Sequence, residues 1–566
     1  MASKTLKQAS QLHARGELDN AIEIYESLYE TNHDTSPDLY MNYGAALRKK
    51  GNPQKGVEIL KAGLRKWPEN SGLWLNLGNS QIDLGYYFNA TYSLRNAINS
   101  SNDHQGRLSL YGALQKAKLH NLAYKIAREN YILFYKKEPT KIIFALLESI
   151  LALPEEQRGN LASFQELIHL SEKDTLDESI TDKINRAMLL AQTWAQAQKP
   201  EYVWHWYSKA KDLIGSQLRD EKKKNLKPSF RTNWHSLSWN LAIHFIKIGE
   251  FKLGWKLYEH GLQVPAEGPQ KWQRSLKKPF HNKEVPLWQG ENISGKNLLV
   301  LGEQGIGDTM MFATLLPKFA EKGINVFFIP GPRLEQIYKR SLKCCKILNL
   351  NEAKELNISS RKFDYQVPIG SLPQYYSDNF HDFESKNLLS ADANLIESLK
   401  NKYYEYKKTT KGRLIGISWQ GGGKEKRIPL KSISLDKISD LVLMYPNDTF
   451  VSLQYGNDKP HLDKLYQNTG KRIYHDETID PLKDMDSWLA QVAAMDLVIS
   501  IANTTIHGAG GLGVKTLCLV SNQADWRWIN PDIYKGCYWY QSVDTTYQDL
   551  NGSWDSALQN AKKWLA

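Results

Sequence analysis

Small and large apolar residues recur along the first half of the chain at a fixed step. Gly44 returns as Gly78 and again as Gly112, 34 residues apart each time, and Gly51 returns as Gly85 at the same distance. A period of this size predicts stacked pairs of antiparallel helices. The matching positions read Ala9, Ala21, Tyr25, Leu28, then Gly44, Gly56, Leu60, Gly63, then Gly78, Ala90, Leu94, Ala97. Small residues there let two helices approach, and the large one fills the groove between them. The unit that starts at Gly112 is weaker. Ala191, Val203, Tyr207 and Ala210 recover the spacing, as do Ala242, Gly254, Tyr258 and Gly261. Residues 140–190 read as helical with no fixed register.

The pattern then changes. Pro265, Pro269, Pro279 and Pro286 stop any helix between 264 and 290. Short apolar runs follow, at Asn297–Leu301, Asn325–Ile329, Arg413–Trp419, Thr449–Leu453, Leu497–Ile501 and Thr516–Val520. Glycine turns and amphipathic stretches separate them, which is the order strand, loop, helix, strand of a parallel sheet. The expected fold class is α plus α/β. An N-terminal α-solenoid spans 1–263, a Pro-rich linker 264–290, and two Rossmann-like domains 291–405 and 406–566. Ligands of such sheets bind outside the carboxyl ends of the strands.

The repeat positions resemble those of the tetratricopeptide repeat, most specifically over residues 37–100. That resemblance implies a superhelix whose concave face binds a peptide or protein, with a plain scaffold or dimerisation arm as the alternative. Trp204, Trp206, Tyr207, Trp234, Trp239, Trp255 and Tyr258 stand mostly at helical spacing and are expected to pack between helices. Lys222, Lys223, Lys224, Lys227 and Arg231 read as a solvated loop.

Composition changes the picture little. The 566 residues are 41% hydrophobic and 24% charged, which suits several globular units. No apolar run is long enough to span a membrane. The first residues lack a signal-peptide core, and four Cys make no disulfide framework, so a cytoplasmic protein is expected. The net charge of +12 suggests an anionic partner. Residues 1–300 hold 41 Lys and Arg against 31 Asp and Glu, and residues 201–300 alone hold 17 against 9. Residues 301–566 are nearly balanced at 32 against 30. No nucleic-acid motif accompanies the charge, so nucleic acid is not an expected partner. A homo-oligomer is compatible with the sequence.

Three motifs stand at strand ends. Gly302-Glu303-Gln304-Gly305-Ile306-Gly307-Asp308-Thr309 follows the first apolar run. It lacks the third Gly of a dinucleotide fingerprint and the GK[ST] of a phosphate loop. Asp308 reads equally as a helix-capping carboxylate and as a general base facing the cleft. Ser418-Trp419-Gln420 runs into three glycines and then Lys424, Lys426 and Arg427. Those cations suit a diphosphate leaving group, or form a solvated basic loop. Asn503-Thr504-Thr505 opens a helix after the run LVISI, where backbone N–H groups attract phosphate. His507 lies one turn in and is either a site residue or a packed core histidine. Asp484-x-Asp486 reads as a capping cluster, and no metal site is expected.

Together these motifs carry a second resemblance. GEQGIGDTMMF, the R-I-P-L loop after SWQG, FVSLQ, ANTTIHGAGGLG and the later DWRW are similar to those of the heptosyltransferase-like glycosyltransferases, family 9. Gly249-Glu250-Phe251-x-x-Gly254-Trp255-x-x-Tyr258-Glu259 matches bacterial tetratricopeptide proteins that carry such a half. The resemblance covers about 235–545. It implies a metal-independent GT-B enzyme without cofactor, which moves a sugar from a nucleotide-diphosphate donor. The catalytic base then maps onto Asp308, with Gln304, Gly305, Gly307 and Thr309 in its acceptor-side loop. Donor contacts map onto Trp419, Gln420, Lys424, Lys426, Arg427, Gln454, Asn503, Thr504, Thr505, His507 and Asp525. One departure is Ala502, where many relatives carry Asp. The fused solenoid implies a polypeptide acceptor and Ser/Thr O-glycosylation, with flagellin or another surface protein as the concrete case. Lipopolysaccharide or another glycan, or an inactive peptide-binding scaffold, are the alternatives.

Overall fold

The computed structural model describes residues 5–31, 36–101, 104–135, 138–153, 179–196, 199–219, 228–263, 274, 279–383, 387–406, 412–421, 428–456, 459–522, 526–529, 533–549 and 552–566. The chain divides into two compact units, 1–224 and 225–566. Among the described residues no helix is long and apolar enough to cross a membrane.

The first unit is built of antiparallel helix pairs. Pro37–Lys49 pairs with Pro53–Lys66, and Ser71–Asp83 pairs with Tyr87–Ser100. The 34-residue step has a packing cause. A Cβ on Gly44 would lie 2.5 Å from Leu60 Cγ, and one on Gly78 would lie 2.5 Å from Leu94 Cγ. The turns inside the pairs place Gly51 and Gly85 at φ of 89° and 79°, a region that costs glycine nothing. The weaker fourth unit, His104–Lys116 with His120–Phe134, loses both features. Gly112 has no atom within 4 Å of its Cβ position, and Lys118 takes the left-handed turn at φ 60°. Ala191, Val203, Tyr207 and Ala210 are all buried where Ile180–Gln196 meets Pro200–Arg219, as the spacing predicts. The unfixed register at 140–190 falls largely on 154–178, outside the described residues.

The last helix pair, Pro228–Lys247 and Phe251–Tyr258, belongs to the second unit. The sequence division counts it with the repeats, because Ala242, Gly254, Tyr258 and Gly261 keep their spacing. Gly254 does sit against its partner helix, where a Cβ would lie 2.7 Å from Ile246 Cγ1 and 3.0 Å from Ile246 N. The outward aromatic residues of Phe251–Tyr258, however, face the α/β core. Trp255 and Tyr258 are fully buried and pack on Phe312 and Trp526.

The first sheet holds β1 (Asn297–Leu301), β2 (Asn325–Ile329), β3 (Lys346–Ile347) and β4 (Tyr365–Pro368) in the order β3-β2-β1-β4, all parallel. The second holds β5 (Leu414–Ser418), β6 (Thr449–Ser452), β7 (Ile473–Tyr474), β8 (Leu497–Ile501), β9 (Thr516–Val520) and β10 (Val543–Tyr547) in the order β10-β9-β8-β5-β6-β7, also parallel. Two parallel sheets in tandem match the α/β architecture expected for this half of the chain. The order reverses between β1 and β4, and between β5 and β8, and those points open ligand crevices.

Two boundaries differ from the sequence division. The described part of the Pro-rich segment is anchored to the first sheet by a few buried side chains. Phe280, Val285 and Trp288 are buried, and Leu287 bridges Gln366 on β4. Helix Ala393–Tyr404, assigned by sequence to the first α/β domain, packs on Met485–Ala493 of the second. Tyr403 donates to Asp476 at 2.8 Å and accepts from Gln491 at 2.9 Å.

Candidate active site

The loop after β1 is shaped by close backbone approach. A Cβ on Gly302 would lie 3.0 Å from Ile329 O and 3.1 Å from Pro330 O, so any other residue would have to push that backbone away by a few tenths of an ångström. Gln304 sits at φ 60°. Helix Ile306–Ala313 then begins with Gly305 as its N-cap. Asp308, at the third position, accepts from the Gly305 N–H at 3.1 Å through Oδ2. Its Oδ1 accepts from Arg527 Nε at 2.6 Å, and Arg527 Nη2 pairs with the same oxygen. One oxygen of Asp308 thus caps the helix, as the capping reading expects, and the other is paired with a guanidinium. Both side chains are mostly buried, at 12% and 17% exposure. Thr309 is buried and its hydroxyl donates to Glu303 O at 3.3 Å, which makes it part of the loop's frame.

Helix Thr504–Leu512 faces that loop from the second sheet. Asn503 is its N-cap, accepting from Thr505 N at 2.9 Å and donating to Ser418 Oγ at 2.8 Å. This bond ties the end of β8 to the end of β5, across the reversal of strand order. Thr504 is exposed, whereas Thr505 is buried. His507 is buried, with Nδ1 3.2 Å from the Tyr540 hydroxyl. Burial lifts the Tyr540 hydroxyl well above the usual tyrosine range. His507 also explains Gly307: a Cβ there would lie 2.8 Å from His507 Cδ2. The histidine is thus packed, as one reading expects, and it is packed against the Asp308 loop. The glycine run of this helix has the same cause, since a Cβ on Gly508 would lie 2.7 Å from Trp488 Cη2 and one on Gly511 2.7 Å from Leu389 Cδ1.

The loop after β5 is stapled by Gln454. Its Oε1 accepts from Ser418 Oγ at 2.9 Å, Trp419 N at 3.3 Å and Gln420 N at 3.0 Å, and its Nε2 donates to Gln420 O at 3.2 Å. Gln454 is buried and props the loop from behind, whereas Trp419, also buried, and the half-buried Gln420 border a depression. The depression, of about 440 Å³, has Ser432, Asp436, His461 and Lys464 on its walls. Asp308 and His507 do not line it. Lys424, Lys426, Arg427 and Asp525 lie outside the described residues.

Asp484 and Asp486 are engaged elsewhere. Asp484 caps Met485–Ala493, accepting from Asp486 N at 2.9 Å, and Asp486 pairs with Arg340. Among the described residues no group of three or more His, Cys, Asp or Glu could hold a metal ion.

Sequence reasoning missed the residues that surround Asp308. Arg527 stands in the quoted DWRW, but the acidic neighbour was taken instead. Tyr540 lies in a strand connection without periodicity. Tyr258 was read as repeat packing, yet its hydroxyl donates to Gln304 Oε1 at 3.1 Å.

No protein-family model matches the chain. The chain is 25% identical over 332 residues to Protein FlbA of Caulobacter vibrioides, which takes in 56% of this chain and 52% of FlbA. It thus spans about half the length of that curated relative. Among solved structures it is similar to a glycosyl transferase family 9 protein from Veillonella parvula, at 12% identity and a TM-score of 0.37, over 48% of this chain and 90% of that one. It is also similar to YrrB, a TPR protein with an unusual peptide-binding site, at 14% identity and a TM-score of 0.28, over 34% of this chain and 93% of that one.

Proposed function

We propose that this protein is a glycosyltransferase that moves a sugar from a nucleotide-diphosphate donor to a Ser or Thr hydroxyl of a polypeptide. One observation carries the reading. The carboxylate after β1 and the helix start after β8 stand at the reversal points of two sheets, and His507 packed on Gly307 brings them together.

In this reading the donor lies on the second α/β domain. Its diphosphate rests on the N–H groups at Asn503–Thr505, with Lys424, Lys426 and Arg427 as counter-charges. Asp308 takes the acceptor proton while the acceptor oxygen bonds to the sugar carbon. The carbon–oxygen bond to phosphate breaks, and the nucleoside diphosphate leaves with the electron pair. Protein cations supply the charge compensation, so the reading needs no metal. The tetratricopeptide-like solenoid recruits the polypeptide, for which flagellin or another surface protein is the concrete case. The cytoplasm, where nucleotide sugars are made, is the proposed compartment.

The test is incubation with a panel of nucleotide sugars, with and without a Ser/Thr-rich peptide, followed by mass spectrometry. Transfer should survive EDTA, and Asp308→Ala should lower it about 10²–10⁴-fold. Full transfer by Asp308→Ala sinks the base assignment. The absence of both hydrolysis and a nucleotide-induced melting shift points instead to a peptide-binding scaffold.

A further inference from the structure

Behind the Asp308 loop lies a buried ionic cluster that the proposed chemistry does not use. Arg274, 2% exposed, sends Nε to Glu303 Oε1 and Oε2 at 3.1 and 3.3 Å, Nη1 to Glu259 Oε1 at 2.5 Å and Nη2 to Ser371 Oγ at 2.6 Å. The Ser371 hydroxyl in turn donates a hydrogen bond to Glu259 Oε2 at 2.9 Å. Glu303 also accepts from Gly370 N at 2.8 Å. The guanidinium lies over the Tyr258 ring, 4.7 Å from its centroid, and Nη1 donates to Tyr258 O at 3.3 Å. Four parts of the second unit meet here: the last helix pair, the Pro-rich segment, the loop after β1 and the turn after β4.

Stability alone does not explain the cluster. Removing such charges from water costs several kcal/mol per ion, and apolar residues of equal volume often hold a fold as well. Burial raises the Glu303 carboxyl, and Arg274 beside it pulls the other way. The cluster does fix geometry. Glu303 and Gln304 are the residues from which the chain turns into Gly305 and the helix that presents Asp308. Gln304 holds a left-handed backbone, a strained conformation that persists only where surroundings over-determine it. Its side chain is held by Tyr258, the residue under the Arg274 guanidinium.

We propose that Arg274, Glu303 and Tyr258 form a positioning device that holds the Gly302–Thr309 loop, and with it Asp308, in its working geometry. The inference rests on Asp308 being the base of a transferase. It assigns a role to the Tyr258-Glu259 end of the GEFxxGWxxYE motif, which the proposed mechanism leaves without one.

The test uses the full chain with Tyr258→Phe, which keeps the ring and deletes the hydroxyl, and Arg274→Lys, which keeps the charge and deletes the fork. Hydrogen exchange of the peptide spanning 302–309 should become at least tenfold faster in both. In the same proteins kcat should fall at least tenfold, with donor KM within twofold and an unchanged melting temperature for Tyr258→Phe. Loop exchange and kcat equal to wild type in both variants overturn the proposal. So does a loss of kcat that only mirrors a loss of folded protein. If wild type turns over no nucleotide sugar, the transferase reading fails, and loop exchange alone decides the positioning role.

Discussion

Asp308 caps its helix with one oxygen and pairs with Arg527 through the other. Its position after a glycine loop, at the third residue of a helix, was legible because both capping and base chemistry place a carboxylate there. Its partner Arg527 was not legible, because it arrives from a loop 219 residues later that has no period to follow. The same limit applies to Asp476, which no motif marks. Burial opposes its charge, but hydrogen bonds from Lys402, Thr478 and Tyr403 outweigh that and hold the carboxyl below the ordinary range. A depressed carboxyl stabilises the fold above its unfolded value of about 3.9 and loses that contribution as pH falls through the folded value. Asp476→Asn should therefore destabilise the second unit at pH 7 by about 2 kcal/mol. In urea unfolding from pH 7 downward, the gap from wild type should hold until about pH 4 and then close. A gap that stays constant into the acid range would refute the assignment.

At the scale of elements, apolar runs located six of the ten strands among the described residues. The missed ones share physical causes. β3 and β7 are two residues long, and β4 carries a buried Gln366 and ends in Pro368. β10, VDTTY, is a polar edge strand. Glycines were read more uniformly than they deserve. Gly112 continues the 34-residue step but touches nothing, whereas Gly508 lies under Trp488. The two should respond oppositely to alanine. Gly112→Ala gains helix propensity without a clash and should stabilise the first unit by about 0.5–1 kcal/mol. Gly508→Ala gains the same propensity, but its Cβ would lie 2.7 Å from a buried indole. Overpacking of that kind costs about 1–3 kcal/mol, so the second unit should lose stability overall. Chemical unfolding that follows each unit separately would check both signs.

At the scale of the whole molecule, the division at 224/225 relocates the charge. Counted by sequence halves, the positive excess falls on residues 1–300. Counted by compact units, residues 1–224 hold 30 Lys and Arg against 26 Asp and Glu, and residues 225–300 hold 11 against 5. The basic stretch therefore belongs to the unit that carries Asp308, although one of its charges, Arg274, is buried and neutralised by carboxylates. Lys252 and Lys256 lie on the exposed side of Phe251–Tyr258, one turn apart. If this stretch meets an acidic polypeptide, charge reversal there should weaken binding more than reversal on the solenoid. The contrast is Lys252→Glu with Lys256→Glu against Lys49→Glu with Lys50→Glu, read by anisotropy of a fluorescent Glu- and Ser-rich peptide. Exposed pairs are worth about 0.2–1 kcal/mol, so the first double variant should raise Kd by up to about fivefold per charge at low salt. The difference should fade toward 1 M salt, where charges are screened within about 3 Å. Equal losses from both double variants would return the acidic partner to the repeats.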